Sequence, residues 1–278
     1  MVTSFRGWND GAQGASLAAE FLARQWDATR FAEIDPEDFF DFQDVRPHVK
    51  LEDGLTRRID WPENAFYHAA MPGTERDVVF LQGIEPSLKW RTFTQLVLGL
   101  AQDLGVETVL TFGALLADVP HSREVPITGA GSDSALMDEL GLAASRYEGP
   151  TGIVGVLHNA CREAALPSAS IWAAVPHYAS LAPSPKAALA LCEKFGRFLG
   201  IEFDLNELEE ASESYQEQVS AVVAADEETA RYVLQLEEQA DALDEADIPS
   251  GDALAAELSR FLREHEARRR EEEDETRS

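Results

Sequence analysis

Residues 78–129 read VVFLQGIEPSLKWRTFTQLVLGLAQDLGVETVLTFGALLADVPHSREVPITG. Two apolar runs in it, 78–81 and 109–112, are too short for helices, rich in β-branched and aromatic residues, and followed by Gly83 and Gly113; they read as two buried strands. Between them Phe93, Leu96, Val97, Leu100 and Leu104 recur at helical spacing up to Gly105, a residue suited to ending a helix. The stretch therefore predicts a βαβ unit with parallel strands. In open α/β sheets ligands collect beyond the carboxyl ends of the strands. The loops after these two strands, GIEPSLKW and GALLADVPHSR, are where a site is expected.

Toward the N-terminus, Val2–Arg6 is a short strand, and the turn Gly7-Trp8-Asn9-Asp10-Gly11 leads into a helix over 12–25 with Leu17, Ala18, Phe21 and Leu22 on its apolar face. A chain that enters an inner strand after one residue suggests a natural start further upstream, or a truncated strand. Further strands are predicted at 29–34, 39–42, 55–61 and 65–71, separated by Asp35-Pro36, Arg46-Pro47, Asp53-Gly54 and Trp61-Pro62, as antiparallel hairpins beside the parallel core. The acidic run 35–44, interleaved with Phe39, Phe40 and Phe42, reads as an edge strand whose outward acids discourage pairing with other chains.

Toward the C-terminus the pattern predicts a helix at 134–140, a strand at 149–156, a helix at 157–165, a strand at 169–175 and a helix at 185–199, with Pro185 in its first turn and Gly200 at its end. From 204 no strand signal remains. Two helical runs carry stripes at Leu205, Leu208, Ala211, Tyr215, Val219, Val222 and at Ala230, Val233, Leu236, Ala240, Leu243. Ile248-Pro249-Ser250-Gly251 separates them from a third helix over 252–265, and ARRREEEDETRS is too polar to bury. The expected organisation is an α/β domain over 1–203, a helical extension over 204–267 and a disordered acidic tail over 268–278.

At 278 residues with 45% hydrophobic content the chain can bury a sizeable core. Its net charge of −28 repels phosphates, which argues against nucleic acid and anionic membranes as partners. No run approaches the roughly 20 apolar residues that span a bilayer, and no secretory leader pattern opens the chain. Cys161 and Cys192 form no CxxC and sit at no metal-ligand spacing with a histidine, so reduced structural thiols and a cytoplasmic location are expected. The histidines form no HExxH or similar set, so no metal site is expected. GWNDGAQG does not satisfy GxGxxG, there is no Walker lysine, and no serine sits in a GxSxG elbow; no cofactor is expected, and a serine hydrolase is disfavoured.

GWNDGAQGAS (7–16), DFFDFQDVRPHV (38–49), LQGIEPSLKW (81–90), FGALLADVPHSR (112–123), YEGPTGIVGVL (147–157) and WAAVPHYASLAPSP (172–185) together resemble the PAC2 family, named for a proteasome assembly chaperone, and most closely its actinobacterial branch. The resemblance runs to about residue 208. It implies a phosphorylase-like or hydrolase-like α/β fold, a three-layer mixed sheet flanked by helices with a helical C-terminal extension, and frequent homotrimers. It also implies protein partners such as proteasome components, while bacterial members as a family carry no assigned activity. Archaeal relatives that dock on the proteasome use a C-terminal hydrophobic-Tyr-any tripeptide; this chain ends Thr276-Arg277-Ser278, so that mode is not supported.

Asp10, Glu85, His121 and Arg123 fall at strand ends or just beyond, where such a fold places its pocket. Arg123 can fork onto a carboxylate or phosphate, His121 can move a proton near neutral pH, and Trp8 and Trp90 can stack on a ring. With Asn9 and His177 they make a candidate ligand site of eight residues. The alternative is that Asp10 caps the first helix, Arg123 pairs with Glu85 or Glu124, the tryptophans fill core and His177 is a packed, hydrogen-bonded side chain. Two functions stay open: a non-enzymatic, assembly-chaperone-like protein, which the absence of a catalytic motif favours, and a small-molecule-binding or phosphorylase/hydrolase-like enzyme using the strand-end pocket.

Overall fold

The unit that decides the fold is present as expected. The computed structural model describes residues 1–132, 134–142, 148–180 and 183–245. In it β6 (Asp77–Ile84), α2 (Trp90–Asp103) and β7 (Val109–Ala117) follow one another. β6 and β7 are parallel and lie on either side of β1 (Val2–Arg6), which pairs with both. Gly105, at φ +66°, ends α2, its N–H donating to Gln102 O and that of Val106 to Ala101 O.

The other elements extend this centre in both directions. α1 (Gly14–Gln25) follows β1; β2 (Thr29–Ile34), β3 (His48–Glu52), β4 (Thr56–Asp60) and β5 (Asn64–Ala70) precede β6. After β7 come β8 (Ile127–Gly131), α3 (Ser134–Glu139), α4 (Ile153–Glu163), β9 (Ser168–Pro176), α5 (Pro185–Leu199), α6 (Asn206–Ala224) and α7 (Glu227–Glu245). The main sheet has the order β2-β5-β6-β1-β7-β9-β8. Its four central strands are parallel, while β5 and β2 on one flank and β8 on the other run antiparallel to their neighbours. β3 and β4 form a separate two-stranded ribbon.

Alternation along the strands feeds two cores, one on each face. Val78 and Phe80 face α1 and α5 with Ala18, Leu22, Leu191 and Phe195; Val79 and Leu81 face α2 and α4 with Phe93, Val97, Leu157 and Cys161. The result is the three-layer arrangement of helices, mixed sheet and helices. Cys161 and Cys192 are both buried and unpaired. At α5 the local reading holds in detail: Ser184 Oγ accepts from Ala187 N, Pro185 opens the helix, and Gly200 closes it at φ +65°.

Two local readings are corrected. Residues 39–42 are turn, not edge strand; after a single 3-10 turn at Pro36–Asp38, Phe39 and Phe40 both point inward, and Phe39 meets Phe93 edge-on at 5.5 Å. Residues 149–156 are not a strand either: the chain is irregular to Gly152 and helical from Ile153, with Ile153, Val154, Leu157 and Cys161 on the buried stripe. Two strands, β3 and β8, lie where none was predicted. The anticipated third helix at 252–265 and the tail at 268–278 fall outside the described residues. Among the described residues no helix is long and apolar enough to cross a membrane.

Candidate functional site

β1 hands over to α1 on one face of the sheet and β6 to α2 on the other. The carboxyl ends of these adjacent strands therefore diverge, which is the topological switch point of the fold. Gly7 begins the loop after β1 at φ +125°, and a Cβ there would lie 3.4 Å from Glu85 Cβ. Trp8 projects outward, 52% exposed, while Asn9 and Asp10 turn in. Asn9 Nδ2 donates to Glu85 Oε1 at 2.9 Å, and the same oxygen accepts the first amide of α4, Ile153 N, at 2.8 Å. A carboxylate at a helix N-terminus is favourable for the dipole and satisfies an orphan donor. Gly152 is required beside it, since a Cβ would come within 2.6 Å of that oxygen.

Asp10 does the same for α1. Its Oδ1 accepts from Ala15 N at 2.8 Å and Ser16 N at 3.2 Å. Burial pushes its pKa up, opposed by the hydrogen bonds from Ser16 and Ala15 and by the charge of Arg6. Asn9 Oδ1 and Asp10 Oδ2 are buried with no hydrogen-bond partner among the described residues. Trp90 is half-buried, its indole N–H donating to Pro86 O and its ring against the α2–α4 core.

His121, Arg123 and His177 lie at the ends of β7 and β9, under α6 and α7. The Tyr178 hydroxyl accepts from His121 N at 2.8 Å and lies 2.9 Å from Nδ1. Having accepted one proton, the hydroxyl has its own left for Nδ1, which puts the imidazole proton on Nε2, 2.9 Å from Ser220 Oγ of α6. Burial, and then Lys186, hold the His121 pKa below the usual value. Burial likewise pushes Tyr178 up to about 12. Lys186 Nζ donates at 2.6 Å both to His121 O and to Gln216 Oε1 of α6; its pKa is lowered, first by burial and then by Arg123.

Arg123 forks onto Asp241 of α7, Nε to Oδ1 at 2.6 Å and Nη2 to Oδ2 at 2.8 Å, with Glu237 at 3.7 Å. Ser122 donates to Glu237 as well. His177 Nδ1 lies 3.1 Å from Asp118 Oδ1 without hydrogen-bond alignment, and Tyr232 of α7 donates to that oxygen at 2.9 Å. The rings of His177, Tyr178 and Tyr232 stack edge to face. The cavity among Pro120, His121, Arg123, Ser184, Lys186 and Tyr215 measures about 10 Å³, room for about one water.

The eight predicted residues thus fall into two groups. Asn9, Asp10 and Glu85 hold the starts of α1 and α4, with Trp8 outside and Trp90 beneath; His121, Arg123 and His177 meet the α6–α7 pair. The residues that sequence reasoning missed are Tyr178, Lys186, Ser220, Tyr232, Glu237 and Asp241. Their one local signal was the i, i+4 spacing of Glu237 and Asp241, beside the apolar stripe of their helix. Among the described residues no group of three or more His, Cys, Asp and Glu is placed to hold a metal ion.

A mixed sheet between two helical layers, capped at its strand ends by a helical pair, defines the class of protein. The PAC2 family model matches residues 4–223, and the chain belongs to the PAC2 family. A PAC2 family protein from Streptomyces avermitilis is 44% identical, covering 84% of this chain and 98% of its own, with a TM-score of 0.78. A proteasome-assembly chaperone homologue of Mycobacterium tuberculosis is 43% identical, covering 84% and 98%, with a TM-score of 0.77. An archaeal proteasome activator of Pyrococcus furiosus is 19% identical over 80% of this chain and 91% of its own, with a TM-score of 0.63; that likeness is one of fold. A comparison with curated proteins finds no match.

Proposed function

We propose that the chain is a non-enzymatic, assembly-chaperone-like protein that binds a protein partner, a proteasome component before any other. The observation that carries this reading is how the strand-end polar groups are used. Asp10 and Glu85 hold helix starts, and His121, Ser122, Arg123 and Lys186 bind the α6–α7 pair, around a cavity of about 10 Å³. Drug-sized ligands occupy pockets of about 300–1,000 Å³. The M. tuberculosis relative, described as a proteasome-assembly chaperone homologue, points the same way. Self-association, as a trimer, belongs to the reading, as does the cytoplasm, where Cys161 and Cys192 stay reduced. The test is an affinity pull-down of the full chain from its native host, identified by mass spectrometry. Enrichment of proteasome subunits is the expected result. A clean preparation with no proteasome subunit overturns the assignment.

A further inference from the structure

The β3–β4 ribbon stands apart from the main sheet, and every residue from His48 to Ile59 is exposed. Two strands alone in water are marginal at best, so the ribbon is a poor structure unless something covers it. Its two faces differ. One is polar and paired within itself, Lys50 with Asp60 and Arg58 with Glu52 and Asp60. The other is set by the register Val49 opposite Ile59 and Leu51 opposite Arg57, and Trp61 continues it. Val49, Leu51, Ile59 and Trp61 are 58%, 63%, 50% and 49% exposed. Arg57 makes no ion pair among the described residues. Arginine and tryptophan are residue types in which binding energy concentrates, and the aliphatic side chains beside them add apolar area.

The charge of the ribbon narrows what fits there. Residues 46–61 hold Arg46, Lys50, Arg57 and Arg58 against Glu52, Asp53 and Asp60, a slightly basic arm on a chain of net charge −28. Its complement is an acidic surface with some apolar area. The chain carries one: α6 and α7 hold twelve carboxylates against one basic residue, Arg231. On the outer side of α7, Leu234 is 55% exposed, with Glu227 two turns before it and Glu238 one turn after. The ribbon is inserted between β2 and β5 at one flank of the sheet, whereas α6 and α7 sit over the ends of β7 and β9, three and four strand spacings or about 14 and 19 Å from β5. The exposure of the whole ribbon shows that the two do not meet within one chain.

We propose that the Val49–Leu51–Arg57–Ile59 face of the ribbon docks on the acidic α6–α7 pair of a second copy of this chain. This rests on the self-association in the reading above and names its surface. The contact is head-to-tail, since each copy offers one ribbon and one helical pair, and such a contact builds a ring when its rotation closes.

The test uses purified full chain alone, so it is independent of whether proteasome subunits are recovered in a pull-down. Sedimentation equilibrium compares wild type, Leu51→Asp and Leu234→Asp, both at exposed positions, with circular dichroism confirming the fold of each. Wild type is expected to exceed the single-chain mass of 30.6 kDa at micromolar concentration, and each variant to weaken association at least tenfold. An equimolar mixture of the two variants is expected to recover dimers and nothing larger, because one intact ribbon then meets one intact helical pair. Wild type at the mass of one chain at tens of micromolar overturns the proposal. An oligomer indifferent to Leu51→Asp, or variants that do not complement on mixing, overturns the surface while leaving self-association standing. A monomeric wild type whose ribbon captures a different acidic protein also overturns it.

Discussion

Asp10 and Glu85 do the same work at two different helices. Each places one carboxylate oxygen on free amides, Asp10 on Ala15 and Ser16 and Glu85 on Ile153. Replacing Asp10 by Ala leaves those two amides of α1 without their acceptor and is expected to cost about 0.5–2 kcal/mol, the range of lost N-caps. The relief of a buried carboxylate whose pKa burial has raised offsets part of that loss. Urea denaturation measures the balance, and a variant more stable than wild type would show that desolvation outweighs the cap. Asp10 and Glu85 lie in neighbouring loops because the strands they follow, β1 and β6, pair in parallel, a pairing that the βαβ reading of 78–129 did not include. The sequence could not pair Arg123 with Asp241 or His121 with Ser220, which lie 118 and 99 residues apart. Periodicity reports the face of an element and not which distant element covers it, so Glu85 and Glu124 were the only partners a local reading could offer Arg123.

The α6–α7 pair is attached partly through apolar side chains and partly through titratable ones. Leu208, Tyr215, Val233 and Leu236 are buried as the stripe predicts, whereas Val222 and Leu243 on the same stripe are 73% and 49% exposed. Polar contacts from His121, Ser122, Arg123 and Lys186 complete the attachment. His121 is neutral when covered, with Nδ1 accepting from Tyr178, so a second ring proton would oppose that bond. Its pKa is depressed in the folded state, hence the uncovered state binds more protons below about pH 6.5. Docking is therefore fully supported above that pH and is lost as pH falls through the window beneath it. Amide protection factors in α6 and α7, taken relative to the intrinsic exchange rate at each pH, are expected to fall between pH 7 and 5, and His121→Gln to flatten that fall. His158 on α4, both ring nitrogens sealed and its pKa pushed down to about 4, loads the same acid limb elsewhere, so the readout has to be local to α6 and α7. A loss of protection shared equally by α2 and α4 would assign the effect to global loosening.

Element type was legible where period and length agreed, as at α2 and α5, and failed where they did not. The run Ile153-Val154 is β-branched like a strand, yet Leu157 and Cys161 complete a helical stripe that starts inside it; short apolar runs do not separate the two. β8 was invisible because it is made of small residues. Gly129 and Gly131 let Leu142 and Met137 approach to where a Cβ would stand, at 2.5 and 2.6 Å.

At the scale of the molecule, 51 acidic residues face 23 basic ones. The ion pairs formed are mostly between exposed side chains, such as Arg24 with Glu207 and Arg76 with Glu107, and pairs of that kind contribute about 0–1 kcal/mol each. The uncompensated excess of 28 negative charges acts at longer range. At 0.01 M salt the screening length is about 30 Å, so carboxylates across the whole body repel one another; at 0.15 M it is about 8 Å, and only near neighbours do. Repulsion favours the expanded chain, so salt should stabilise the fold even though it weakens each surface pair. The proposed ribbon contact has the opposite dependence, because it joins a basic arm to an acidic surface. The two are separated by working with Leu51→Asp, which is expected to stay monomeric. For that variant the melting temperature is expected to rise by at least about 3 °C from 0.01 to 0.15 M NaCl, the shift that about 1 kcal/mol produces in a domain of this size. Wild type at high concentration should gain less, since salt removes association while it relieves repulsion. A monomer whose melting temperature falls with salt would mean that the specific pairs, Arg123 with Asp241 foremost, outweigh the net charge.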